Sequence, residues 1–65
     1  MTRLFDVVQV VVDIPEEGLR SGMTGTVVDL YENPPAYEVE FSDTEGHTLA
    51  LLALRPEQIR RVSQG

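Results

Sequence analysis

Sixty-five residues, 42% of them hydrophobic and 25% charged, describe a single globular domain and exclude a disordered tail, but a chain this short buries only about 60% of the surface it exposes when unfolded. Eleven acidic residues stand against five arginines and no lysine, a formal net charge of −6; this argues against DNA, RNA or anionic lipid, whose affinity comes from cations set against phosphates, and favours a basic protein partner or simple solubility. There is no cysteine, so neither a disulfide staple nor a thiolate nucleophile or metal ligand is available, and strand packing or self-association must supply the stability.

The opening residues, Met1-Thr2-Arg3-Leu4-Phe5-Asp6, reach a carboxylate before any long apolar core and lack the small-residue cleavage site of a signal peptide. No apolar run approaches the about 20 residues of a membrane helix, and a cytoplasmic location without membrane association is expected. The first apolar run, Leu4 to Val12, is rich enough in valine to read as a strand; both parities are mostly apolar, which predicts partial cover on both faces. Asp13 to Ser21 breaks it with proline, glycine and charge, giving a loop of about nine residues in which Ile14 and Leu19 fold back as anchors.

The stretch Gly22-Met23-Thr24-Gly25-Thr26-Val27-Val28 organises the chain. One glycine is expected to supply a backbone angle closed to other residues and the other to let a neighbouring strand pass close. The β-branched residues that follow, through Asp29, Leu30 and Tyr31, suit a pleated, half-buried surface. A phosphate-binding loop would need further glycines, a lysine or an ensuing helix, and none follows.

Glu32-Asn33-Pro34-Pro35 separates two strands. Ala36 to Ser42 alternates strictly, so Tyr37, Val39 and Phe41 should face the core and Glu38 and Glu40 water. Asp43-Thr44-Glu45-Gly46 is a hairpin turn leading to His47 through Leu54. Leucine and alanine favour helix by propensity, and Leu49, Leu52 and Ala53 would share a helical face. The run is short, however, follows a hairpin directly and is stopped by Pro56, which is better explained by a strand buried on both faces. Arg55 to Gln58 reads as a tight helical turn with proline at its start, Ile59 to Val62 as a closing strand, and Ser63-Gln64-Gly65 as fraying. The expected fold is all-β, a small five-stranded antiparallel SH3-like barrel with one short 3-10 turn, its closure removing exposed edges. Core candidates are Val8, Val10, Val27 or Val28, Leu30, Val39, Phe41, Leu49, Leu51 and Ile59.

Residue types that carry chemistry are present but not assembled. His47 is alone, without a second histidine or cysteine for a transition metal and without a visibly paired nucleophile. Glu38 and Glu40 lie two apart on one strand and point to the same solvated side, with no cleft to raise either pKa. Asp43 and Glu45 lack the twelve-residue spacing of a calcium loop. No catalytic residue, cofactor or metal site is expected, and the chain is read as a non-enzymatic module. The candidate partner-binding residues are the acidic stripe of Glu38 and Glu40 with Asp29, the loop carboxylates Glu16 and Glu17, and Tyr31 as an aromatic anchor beside the prolines. A solvated negative face and a tyrosine used as packing filler are the alternatives.

Taken in combination, Leu4-Phe5-Asp6-Val7-Val8, Leu19 through Val28, Tyr37-Glu38-Val39-Glu40-Phe41 and Thr48-Leu49-Ala50-Leu51-Leu52 resemble the bacterial domain of unknown function family 4926. That resemblance implies a small bacterial protein, encoded beside a toxin-like or mobile-element partner, and no catalytic residues. A looser likeness is to SH3-like barrels of nitrile hydratase subunits, of a ferredoxin-docking subunit and of ribosomal KOW motifs, which share the glycine-entry strand. The KOW likeness would imply RNA, for which the basic residues are missing. The resulting expectation is an antitoxin-like or accessory protein of a two-gene module that binds a basic protein through its acidic face. A structural subunit or homodimer using the surplus apolar surface of Val7 to Val12 and Leu49 to Leu54 is the second expectation, and a KOW-like RNA-binding domain the third.

Overall fold

Valine and threonine runs separated by proline and glycine produce five strands in the computed structural model, which describes residues 2–62; the expected fraying of residues 63–65 lies outside them. The strands are β1 (Val7–Val10), β2 (Thr24–Glu32), β3 (Pro35–Ser42), β4 (Thr48–Leu54) and β5 (Ile59–Arg61). All neighbours are antiparallel, in the order β4, β3, β2, β1, β5. The all-β, five-stranded antiparallel architecture expected from the sequence is therefore the one observed. β4 and β5 do not pair with each other among the described residues, so the sheet is open where the expected barrel would be closed.

The connection between those two strands nevertheless forces the sheet to curl. β4 and β5 lie at opposite edges, about 19 Å apart if five strands were flat, whereas the five steps from Leu54 to Ile59 span at most about 17 Å when fully extended. Three of the residues are wound into the 3-10 turn Pro56–Gln58, which shortens the reach further. The Arg55 N–H donates to Gln58 Oε1 at 2.8 Å, and the Val11 N–H donates to the Gln58 carbonyl at 2.9 Å, tying the turn to β1.

Inside the curl lie Val8, Val10, Val27, Val39, Phe41, Leu54 and Ile59, together with Ile14 and Leu19 from the long loop. The loop anchors are as expected, and Ile14 and Leu19 exchange backbone hydrogen bonds of 2.9 and 3.0 Å. Between them Pro15–Glu17 forms a second 3-10 turn, where one was expected in the whole chain; proline at its first position is the same signal that marked Pro56. β1 begins at Val7 and not at Leu4, because Arg3 to Asp6 forms a turn closed by the Asp6 N–H on the Arg3 carbonyl at 3.1 Å. The partial cover expected on both faces of β1 is observed, with Val8 and Val10 buried and Val7 and Gln9 half-buried.

Two register shifts decide which leucines are inside. Near the hairpin, Ser42 pairs with Thr48, a register that would set Leu49 against Phe41 and Leu51 against Val39 on the core face. Instead Phe41 pairs with Ala50 and Val39 with Leu52, so Leu49 is the inserted residue of a bulge. A one-residue slip sends every later side chain to the other face. Leu49 and Leu51 are each 56% exposed, and Leu54 is 2% exposed; the expectation that β4 is buried on both faces is overturned, and Leu54 takes the core place expected of the other two. In β2, Val27 pairs with Val39 and Asp29 with Glu38, leaving Val28 as the bulge. This keeps Val27 inside and turns Leu30 to the side of Tyr37, but past the covered part of the sheet, so Leu30 remains 41% exposed rather than joining the core. No helix of the described residues is long and apolar enough to cross a membrane.

Candidate functional site

The outer face of β2, β3 and β4 carries the acidic stripe. Because Val39 and Phe41 are fully buried, strand alternation turns Glu38 and Glu40 outward. Across β2, Asp29 stands directly opposite Glu38, a like-charge pair that a sheet ordinarily avoids. The Val28 bulge brings this about, since an unbulged β2 would send Asp29 toward the core. Tyr31, two residues farther along the same face, donates its hydroxyl to Glu38 Oε1 at 2.8 Å. That hydrogen bond holds the phenolic proton and raises the Tyr31 pKa above its ordinary 10.0, with further contributions from desolvation and from the charges of Glu38 and Asp29. Thr48 donates its hydroxyl to Glu40 Oε2 at 3.0 Å.

β4 completes the face with apolar surface. Leu51 lies opposite Glu40, and Ala53 opposite Glu38. Three of the four sequence-derived sheet residues, Asp29, Glu38 and Tyr31, thus form one cluster, with Glu40 next to it on β3. Sequence reasoning missed the outward placement of Leu51 and Ala53, because no residue type marks the bulge at Leu49.

Glu16 and Glu17 do not belong to this cluster. They sit exposed on the first 3-10 turn, in a loop whose anchors enter the core from the inner face of the sheet. An open depression beside that loop is lined by Asp13, Pro15, Gly18, Leu19 and Arg20, and Asp13 Oδ1 accepts the Ser21 N–H at 2.8 Å.

The turn between β3 and β4 gathers Asp43, Glu45 and His47, whose ligand-type atoms lie within 4.8 Å of one another. Among the described residues these are the group that could hold a cation. Their present geometry serves the turn: Asp43 Oδ1 accepts the N–H groups of Glu45 and His47, both at 2.9 Å, and Asp43 Oδ2 lies 3.1 Å from His47 Nδ1. The His47 N–H, followed by the Glu45 N–H and the His47 side chain, lowers the Asp43 pKa from its ordinary 3.8, against a smaller opposing desolvation. All three side chains are exposed. Two positive charges lie on β5, at the other edge of the sheet: Arg60 donates from Nε to Gln9 Oε1 at 3.0 Å, and Arg61 Nε lies 3.4 Å from Asp6 Oδ2.

A family model described as a domain of unknown function, DUF4926, matches residues 4–61. Comparison with curated proteins and with solved structures finds no match.

Proposed function

We propose, for a chain that belongs to the DUF4926 family, a non-enzymatic binding role in which the outer face of β2 and β3 engages a basic protein, the chain serving as the accessory or neutralising member of a two-gene bacterial module. The observation that carries this is the Asp29 and Glu38 pair, held directly opposite each other by the β2 bulge, with Glu40 beside it and Tyr31 bonded into it. Like charges placed across a sheet cost stability in the free protein, and a cationic partner relieves that cost on binding. Charge complementarity of this kind sets partner choice and encounter rate more than raw affinity.

The test is capture from host lysate by the wild-type chain and by an E38K/E40K variant, at low and high salt. A basic protein retained stoichiometrically at low salt, released at high salt and lost in the variant supports the role, provided the variant keeps its circular dichroism. Capture that survives charge reversal removes it. A second role, self-association, is favoured by the exposed Leu49 and Leu51 on an edge strand, and a light-scattering mass of one chain across micromolar concentrations would eliminate it.

A further inference from the structure

The two edges of the sheet are built differently. β5 is three residues long and carries Arg60 and Arg61, the short and charged form with which proteins prevent strands from adding to an edge. β4 is seven residues long, Thr48 to Leu54, and contains no charged residue and no proline. Among the described residues it pairs with β3 alone, and its backbone makes no hydrogen bond to a turn or loop. Alternate N–H and C=O groups of an antiparallel strand point away from its neighbour, so β4 presents a row of unpaired donors and acceptors.

Resting on the acidic-face role proposed above, we infer that the partner contributes an extended segment that adds to the β4 edge as a sixth strand, with an apolar and a basic side chain alternating on its outward face. Charge selects this occupant. On the outer face Glu38 is separated from the free edge by Ala53 alone, and Glu40 by Leu51. A strand added beside β4 would run about 10 Å from β3. An arginine or lysine placed next to Ala53 passes over its single methyl and reaches the Glu38 carboxylate with its stem along apolar surface. Next to Leu51 the path is filled, and an apolar side chain packs there instead. Main-chain pairing supplies affinity, and the alternation supplies specificity.

A synthetic peptide of about eight residues, blocked at both ends, with threonine at every second position and valine and arginine taking turns at the positions between, so that one face alternates apolar and basic, is the probe, titrated against the full chain with backbone amides followed by NMR. Two alternately N-methylated versions keep every side chain, and one of them lacks the donors aimed at β4. The expected result is binding of the parent peptide, slowed amide exchange in β4, loss of about tenfold in affinity for one methylated version only, and no binding of the version with glutamate in place of each arginine. If both methylated versions bind like the parent while E38K abolishes binding, strand addition is overturned and the acidic-face role stands. Binding indifferent to both N-methylation and E38K overturns both. If the chain alone proves dimeric with β4 amides already protected, a second copy occupies the edge and the inference is overturned.

Discussion

A methyl group on the Gly25 Cα would stand 2.8 Å from both the Glu40 carbonyl oxygen and Val39 Cγ1, and 2.9 Å from Phe41 Cδ1. Two of those neighbours are core side chains that are themselves fully buried and one is sheet backbone, so none can yield cheaply. Gly25→Ala is expected to destabilise the fold by about 1–3 kcal/mol through overpacking, measured by urea denaturation. Gly22 serves differently: its φ of +102° lets its N–H reach the Val10 carbonyl at 2.7 Å, an angle that a side chain would strain. Tyr31 offers a second check at this scale. Its phenol is neutral when donating to Glu38, so the raised pKa marks a contribution to stability present below the unfolded value near 10.0 and lost as pH rises through the folded one. In Glu38→Ala, with both the acceptor and its charge removed, Tyr31 should titrate closer to 10.0 by NMR; an unchanged midpoint would refute Glu38 as the cause.

Within β4 the two faces have opposite energetics. Leu54→Ala opens a cavity against Val8, Val39 and Phe41 in the same core cluster and is expected to cost about 2–5 kcal/mol. Leu51→Ser alters a side chain that is mostly in water and should change stability by about 0.5 kcal/mol or less. Equal costs in thermal denaturation would mean that the bulge at Leu49 is absent and that the unshifted register, with Leu51 inside, is correct. The same logic explains β2, where one inserted residue, Val28, allows Val27 and Leu30 to share a face although they are three apart.

At the scale of the whole molecule the excess of carboxylates dominates. The ion pairs Arg55 to Glu57 at 3.1 Å and Arg61 to Asp6 at 3.4 Å include exposed partners and contribute about 0–1 kcal/mol each. Salt weakens them, but it also screens self-repulsion of a chain with net charge −6, in which Asp29 and Glu38 are set face to face. The second effect should win. Added sodium chloride is expected to raise Tm at neutral pH, and the gain should shrink as pH approaches the sequence isoelectric point of about 4.4. A fall in Tm with salt at neutral pH would show that the ion pairs outweigh the repulsion.

Local pattern determined most of the architecture: the valine runs, the alternation of Tyr37, Val39 and Phe41 with Glu38 and Glu40, and the proline and glycine breaks place all five strands, both loop anchors and the Pro56 turn. Gly22 and Gly25 also divide between backbone angle and close approach as expected, Gly22 taking a φ of +102° and Gly25 lying against Val39, Glu40 and Phe41 of β3. The acidic stripe was legible too, as strand alternation alone turns Glu38 and Glu40 to water. Tertiary structure decided the rest. Bulges at Val28 and Leu49 arise from fitting β2 and β4 around a curled β3, and no residue type announces them; they put Asp29 opposite Glu38, turned Leu49 and Leu51 outward and sent Leu54 inside. Whether the barrel closes was likewise settled by long-range pairing, since β4 and β5 each carry strand-forming sequence yet end as separate edges, one charged and short, the other neutral and open.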